Sequence, residues 1–434
     1  MRKLLPLVIS AALGSVVTTS AWAESLAQIY DLAKQNDPTL LGAKADRDQA
    51  FEAINSSRSS LLPQIDLDAG YDVERSDFSS LRSDALTAGV SLTQALYDPS
   101  SWVALDSSEK LARQQDASYA SAQQDLIIRV AQAYFDILEA EDNLSFVRAE
   151  KKAVYRQLDQ IKQRFEVGLT AITDVHDAQA QYDSVLADEV QAQNTLTNSY
   201  EALREITGQE PNKLSKLDTQ RFSATKPATD LTALLKDAET KNLSLLSARI
   251  AQDIAKDDIK SAKTGHLPTL NFTADYDYTD QQNSDASYFG SRNELAFGLD
   301  LNVPLYSGGN TTSLVKQAEY AYVSTSQTLE KTYRSVVKNV HAFNNNITGA
   351  IGSIRAYQQS VISAKSALEA TEAGYEVGTR TIVDVLDATQ TLYDARSNLS
   401  SARYDYIMSV LELRQAVGTL SEQDVLDISA GLID

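Results

Sequence analysis

Two stretches 210 residues apart carry the same motif, and this repeat limits the architectures open to the chain more than any other feature. Phe165-Glu-Val-Gly-Leu-Thr-Ala-Ile-Thr-Asp-Val-His-Asp-Ala178 and Tyr375-Glu-Val-Gly-Thr-Arg-Thr-Ile-Val-Asp-Val-Leu-Asp-Ala388 agree at eight of fourteen positions, among them Gly168/Gly378, Asp174/Asp384 and Asp177/Asp387. Each reads as a helix end, a tight turn and a new helix start, because glycine readily takes the positive-φ conformations that end helices. The two acids that follow stand three residues apart and so share a helix face. Upstream, Leu26/Leu231, Ala33/Ala238, Leu41/Leu246, Asp48/Asp253, Leu62/Leu267, Pro63/Pro268 and Tyr71/Tyr276 match at a spacing of 205, and Leu92/Leu301 and Tyr97/Tyr306 at 209. The chain is therefore two copies of one unit, not two or three unrelated domains.

Proline and glycine mark out that unit. Prolines stand at 6, 38, 63, 99, 211, 227, 268 and 304. None falls between Ser100 and Glu210, where glycine occurs only at 168 and 208, and none follows Leu305. These stretches are rich in strong helix formers. A helix from about Ser100 to Val167 would be ~100 Å long at 1.5 Å per residue, a length found in coiled coils and helical tubes. Ile127, Val130, Ala131, Tyr134, Ile137 and Leu138 step by three and four, as an apolar helix face requires.

Between the helices lie alternating segments. In Gln64–Val73, Ile65, Leu67, Ala69, Tyr71 and Val73 share one face while Asp66, Asp68 and Asp72 share the other. Thr269–Tyr278 and Glu294–Val303 alternate likewise, and Ala88–Leu96 more weakly. About ten such residues make an outer-membrane barrel strand. A half-buried soluble sheet alternates too, but the dense polar face favours a barrel. The change of spacing from 205 to 209 places four extra residues between the paired strands of the second unit, within the polar stretch Gln281 to Asn293, as an external loop tolerates.

The expected division is a leader at 1–23, a first repeat at 24–212 (helix, β-hairpin 64–97, long helices 100–208) and a linker at 213–230. A second repeat at 231–419 (helix, β-hairpin 269–306, long helices 310–418) and a terminal segment at 420–434 complete it. Four strands cannot close a barrel, and a membrane sheet cannot leave its edges unpaired. Two, three or four copies would give about 8, 12 or 16 strands, of which eight is the practical minimum.

The first residues read as an export signal. Arg2 and Lys3 precede an apolar run from Leu4 to Val17, and Ala21-Trp-Ala23 is a small-x-small cleavage site. The run is too short for a spanning helix, and no later stretch approaches the ~20 apolar residues one needs. Export without a helical anchor is the expectation. Without Arg2 and Lys3 the chain keeps 37 basic against 59 acidic residues, a net charge of −22. Nucleic acid, which wants a basic footprint, is excluded as a partner. There is no cysteine, and His176, His266 and His341 are scattered, so disulfides and metal-ligand spacing are absent. No phosphate loop, nucleophile elbow or zinc signature supports an enzyme, and no cofactor is expected.

The segment Tyr375 to Asp387, together with Gln163-Arg-Phe165 and Ala171-Ile-Thr-Asp174, closely resembles the TolC family of outer-membrane efflux ducts, and the resemblance runs to about residue 430. It implies a mainly α fold with a transmembrane β-barrel portion. Three chains would form one 12-strand barrel and a coiled-coil helical tube that crosses the periplasm. The implied function is an exit duct for tripartite efflux and type I secretion, carrying drugs, toxins or proteins. The implied partners are two further copies, a periplasmic adaptor and an inner-membrane pump of the resistance-nodulation-division, ABC or major facilitator type. The implied setting is outer-membrane lipid.

Site expectations follow from the residues and from that resemblance. Glycine at 168 and 378 leaves a bare backbone groove, which the resemblance implies adaptor tips engage. The resemblance also implies an iris-like gate, closed at rest, in which Tyr375 and Arg380 bond to Thr173, Asp174 and Gln163. Asp384 and Asp387 from three chains would stack as acidic rings at the periplasmic constriction and bind a blocking cation, since close carboxylates raise one another's pKa or recruit a cation. Helix capping and solvation account for acids at these positions as well. Asp177 adds charge where related sequences can carry an amide. Asp66, Asp68, Asp72, Asp275, Asp277 and Asp300 fall on the polar strand faces and would line a cation-favouring bore. Two other classes stay open on the residues alone: a structural or adhesive surface protein built on long helices, and a passive nutrient porin, in which long helices have no role.

Overall fold

The structure, a computed structural model, describes residues 23–75, 83–226, 228–282 and 290–433. The leader up to residue 22 and most of the external loop expected between 281 and 293 lie outside them. Each unit opens with two helices, not the single one expected: α1 (Leu26–Asn36) and α2 (Pro38–Ser59), then α5 (Leu231–Lys241) and α6 (Leu243–Thr264). The break falls at Asp37 (φ −64°, ψ 116°) and at its repeat mate Asn242 (φ −66°, ψ 122°). Pro38 disfavours helical backbone at Asp37. Both side chains then cap the next helix, Asp37 accepting from the Leu40 N–H at 2.8 Å and Asn242 from that of Leu245 at 2.9 Å. Buried Asp37 also receives both arms of the Arg129 guanidinium, at 3.0 and 2.7 Å.

Two hairpins, β1 (Gln64–Glu74) with β2 (Ser83–Tyr97) and β4 (Thr269–Gln282) with β5 (Gly290–Asn302), join through β2 and β4 into one antiparallel sheet of order β1-β2-β4-β5. Pairing fixes which residues share a face. Ile65, Leu92, Ala274 and Phe297 lie in one row across it, and Leu67, Val90, Tyr276 and Leu295 in another. This apolar face is uncovered, with Leu67 75% and Phe297 69% exposed. Among the described residues no helix is long and apolar enough to cross a membrane. The bare sheet face is thus the surface built for lipid.

From the sheet run two long helices, α3 (Pro99–Glu166) and α7 (Asn310–Glu376), which fold back as α4 (Ile172–Thr207) and α8 (Ile382–Val417). Pro99 opens α3 behind Asp98, whose carboxylate accepts from the Ser100 N–H at 3.0 Å. At 68 residues α3 is about 100 Å long. Near the sheet the helices lie in the order α2-α3-α6-α7, and toward the far turns in the order α4-α3-α8-α7. Gly418 ends α8 at φ 82°, and a Cβ there would sit 2.3 Å from the Lys241 carbonyl oxygen, so no other residue fits beside the α5–α6 break.

The main core gathers Tyr134, Phe135, Ile137, Tyr404 and Leu411 beneath α1. The buried Tyr134 hydroxyl donates to the Ser215 carbonyl at 2.7 Å. Here the stretch read as linker and the terminal segment meet: β3 (Lys216–Leu217) pairs with β6 (Leu432–Ile433), and α9 (Glu422–Ser429) docks on α1.

Candidate functional site

The two helical turns come together at the end of the helices farthest from the sheet. Gly168 (φ 76°) accounts for the first and Gly378 (φ 78°) for the second. The Leu169 N–H donates to the Arg164 carbonyl at 2.8 Å, and the Thr379 N–H to that of Gly374 at 2.9 Å, closing both turns alike. Nothing lies within 4 Å of where a Cβ would sit on either glycine. Val167, Leu169 and Val377 flank them, largely exposed. Below, Val154, Leu158 and Ile161 of α3 and Ala178 and Val185 of α4 pack against Ile382, Val385 and Leu386 of α8, so the hairpins form one tip.

Tyr375 packs on this cluster with the Arg164 guanidinium 4.8 Å above its ring, a cation–π contact that sequence reasoning missed. Arg380 folds back over Gly374, where a Cβ would meet its Cγ at 2.8 Å. Gly374 is the repeat mate of Arg164, and only its bareness leaves room for Arg380. Gln163 donates to Asp159 at 3.0 Å, and Asp174 accepts from the Thr170 hydroxyl. Among the described residues of one chain, Tyr375 and Arg380 make no hydrogen bond to Gln163, Thr173 or Asp174.

Asp384 and Asp387 sit on the face of α8 turned from the buried Ile382, Val385 and Leu386. Asp384 also builds a capping box: its Oδ2 accepts from the Thr381 N–H at 2.8 Å and hydroxyl at 2.9 Å, and its N–H donates back to that hydroxyl. The Thr381 backbone bond, then the hydroxyl bond, hold the Asp384 carboxyl below the usual carboxylate range, and Arg380 adds to this. Within one chain the shift is thus opposite in sign to that expected of a like-charge ring. The first turn has no such box, since the residue ahead of α4, Ala171, offers no side-chain cap. His176 and Asp177 are exposed beside it.

The sheet's other face gathers every acid expected there. Asp66 and Asp275 both pair with Ser91, and Asp68 and Asp277 both pair with Gly89, so these four align across the strands. A Cβ on Gly89 would lie 2.5 Å from Asp277 Oδ1, so any larger residue there would make that carboxylate swing aside. Asp72 and Asp300 follow in the same parity. Glu294, opposite Asp277 and paired with Arg292, belongs to this face as well and was not singled out in the sequence.

Above the tip a charge interrupts the apolar stripe. Val147, Glu150, Val154, Leu158 and Ile161 line one face of α3, and Glu150 is only 9% exposed. Asp394 of α8 and Asp188 of α4 face it, while neighbouring Glu189 is neutralised by Lys151 and Arg148. Burial first, then Asp394 and Asp188, push the Glu150 carboxyl up to about 7. The repeat mates of this trio are the uncharged Ser360, Ser184 and Asn398. A carboxyl whose folded pKa is raised binds its proton more tightly folded than unfolded, so stability falls as pH rises from about 4.5 to about 7. Glu150→Gln therefore stabilises the purified protein at pH 8 by about 2 kcal/mol once the remaining solvent contact is allowed for, read as a higher melting point, and leaves stability unchanged near pH 4.5. Equal stabilisation at both pH values would show that shape, not charge, is what the substitution changes.

An open-edged sheet with a bare apolar face, an acidic opposite face and two long helical hairpins together define an outer-membrane channel subunit. The chain belongs to the outer membrane efflux protein family, whose model matches residues 29–209 and 234–419, one match in each unit. It is 64% identical over 434 residues to the outer membrane protein TolC of Vibrio cholerae serotype O1, covering 100% of this chain and 99% of that one. It is also 29% identical over 448 residues to the alkaline protease secretion protein AprF of Pseudomonas aeruginosa, covering 100% and 92%. The crystal structure of the Campylobacter jejuni CmeC outer membrane channel superposes with a TM-score of 0.79 at 16% identity, over 100% of this chain and 98% of that one, and so shares the fold. The protein is an outer-membrane exit duct of the efflux and type I secretion kind, and not an enzyme.

Proposed function

We propose that three copies close edge to edge into one duct, with a 12-strand barrel above a helical tube and an iris at the turns. The observation that carries this is the pair of unpartnered edges: β1 and β5 bound the sheet, while α7 on one side and α2 and α4 on the other bound the helices. A lipid-facing sheet needs its edges paired, and β5 of one copy against β1 of the next pairs them. The acidic face then turns inward. The chain is exported on the leader at 1–23, cut after Ala23. A periplasmic adaptor seats on the turns at Gly168 and Gly378, and an inner-membrane pump of the resistance-nodulation-division, ABC or major facilitator type supplies drugs, toxins or secreted proteins. Purified protein in detergent is expected to run as a trimer that dissociates on heating, to conduct in a planar bilayer, and to show a reversal potential of cation sign under a salt gradient. A monomer, or an anion-selective pore, would overturn the assembly or the face assignment respectively.

The closed iris rests on bonds between the two turns. Arg380 reaches Asp174 or Thr173, and Tyr375 reaches the Gln163 side of the first turn, across the subunit boundary, since one chain alone does not make these bonds. Exposed pairs contribute only ~0–1 kcal/mol each, so several act together. Tyr375→Phe with Arg380→Ser is expected to raise single-channel conductance several-fold with the trimer intact. Arg164→Ser should raise it further, because Arg164 holds the Tyr375 ring. Unchanged conductance in both variants would remove these residues from the gate.

A further inference from the structure

Six residues before the first strand of each unit stands a cation without a partner: Arg58 ahead of β1 and Lys263 ahead of β4. The two are repeat mates at the spacing of 205, and both are exposed. Their backbones match, the Leu61 N–H donating to the Arg58 carbonyl at 3.0 Å and the His266 N–H to that of Lys263 at 3.1 Å. Neither side chain has a hydrogen bond or ion pair among the described residues. The next cations of α2 and α6 away from the sheet are all matched: Arg47 by Asp116, Lys260 by Asp257 and Lys256 by Asp253. Acids outnumber bases by 59 to 39 in this chain, so cations left unmatched at two equivalent places are open to an outside anion.

Both cations stand on one side of the helices. Arg47 lays its guanidinium over the rings of Phe51 and Tyr119, and Tyr119 packs against the core beneath α1. Arg58 follows Phe51 by seven residues, about two turns, and so keeps to the face that α1 covers. Lys263 takes the same face of α6: Gln252 donates to Ser326 at 2.9 Å just as its mate Arg47 donates to the mate of that serine, Asp116, at 2.6 Å. On the duct reading, on which this inference rests, that face is the outside of the tube, because α1 and α9 would otherwise fill the bore. Trp102 lies on the same face of α3, since Ala120, about five full turns on, shares a cleft with Tyr30 of α1 and Glu422 of α9. Its side chain is 62% exposed, and aromatic residues of this kind gather where a barrel leaves the hydrocarbon for water. The Ser57 and Ser108 hydroxyls meet at 2.5 Å, so α2 reaches α3 there ~9 Å below Trp102, and Arg58 is one residue nearer the sheet. The headgroup layer is about 5–8 Å deep, and a long basic side chain spans the difference.

We propose that Arg58 and Lys263 hold the phosphates of anionic phospholipids around the foot of the barrel, one headgroup at each, where the lipid-facing side of the sheet gives way to helices. Basic side chains beside a bilayer draw anionic lipids in this way. The test titrates the full chain in detergent with phosphatidylglycerol, or with phosphatidylcholine of the same acyl chains. Retained lipid is counted by native mass spectrometry, which also reads the oligomeric state. Wild type is expected to hold phosphatidylglycerol at least fivefold better than phosphatidylcholine. Arg58→Gln with Lys263→Gln should bring the two lipids within twofold of each other, and Arg58→Lys with Lys263→Arg should keep the preference. Lys152→Gln with Lys338→Gln removes the same charge from exposed places far down α3 and α7, and should keep it too. Equal retention of the two lipids by wild type, a preference that survives the first pair, or one lost as fully in the Lys152 and Lys338 pair overturns the site. Displacement of the lipid by inorganic phosphate at equal concentration would overturn it as well, showing a site for free phosphate. A preference for phosphatidylglycerol in a protein that forms no trimers would overturn the assembly reading and leave the collar standing.

Discussion

Tryptophan at Gly378 or Gly168 is expected to abolish efflux, lowering the resistance of producing cells to the level of cells without the duct, while the trimer still assembles. Both glycines hold φ between 76° and 78°, where an L side chain is strained, and both face open space. Strain and docking therefore make different predictions. Asparagine tolerates the left-handed conformation far better than other side chains, so Gly378→Asn keeps the turn while adding little bulk. If the glycines serve only to end α3 and α7, Asn and Trp variants should differ in heat stability and hardly in transport. If a partner must approach the bare backbone between Val167 and Leu169, and beside Val377, the Trp variants lose transport at least tenfold with the trimer's heat stability close to that of wild type. Crosslinking to the adaptor from Leu169→Cys separates the two further, because a docking surface loses its crosslink in the Gly168→Trp background. Full efflux in both Trp variants would sink the docking assignment. The exposed Leu169 and Val377 are a second sign of a partner, since large apolar side chains cluster in solvent at interaction sites.

Much of this was legible because two periodicities dominate the chain. A stretch without proline and nearly without glycine gave the extent of α3 to within a residue, and period-two alternation placed Asp66, Asp68, Asp275 and Asp277 on one face before their register was known. What stayed hidden depends on contacts between distant segments. The break at Asn242 has no proline to announce it; it is visible only as the mate of Asp37. Arg164 over Tyr375 joins residues of different repeats, and nothing local distinguishes that arginine from its neighbours. Gly374 looks like an ordinary helix glycine until Arg380 is seen lying on it. The pairing of Lys216–Leu217 with Leu432–Ile433 uses two short strands from opposite ends of the chain, too brief for any pattern. Glu150 stays hidden for a related reason: a single acid in a long helix usually faces solvent, and only the packing of α4 and α8 shows that this one does not.

The same contrast bears on the proposed gate. Substituting Asp384→Asn with Asp387→Asn is expected to weaken block by a trivalent cation, hexaamminecobalt added from the periplasmic side, by a hundredfold or more. In the proposed trimer six carboxylates would share one axis and repel, and a compact trivalent ion would relieve that repulsion. Alanine at both positions removes the charges but also the capping box that Asp384 forms with Thr381, so a change in block could then come from a frayed start of α8. Asparagine removes the charge and keeps a side-chain acceptor suited to a helix start. A ring that works through charge predicts equal loss of block in the Asn and Ala pairs, with unblocked conductance altered only in the Ala pair. A ring that works through the helix start predicts loss in the Ala pair alone. Asp177→Asn serves as the reference, for Asp177 is the repeat mate of Asp387 on an exposed stretch of α4. The ring assignment requires block in that variant to change by less than threefold. Block surviving in both pairs would place the cation elsewhere, and the sheet's aligned acids at Asp66, Asp275, Asp68 and Asp277 would then be the next to neutralise.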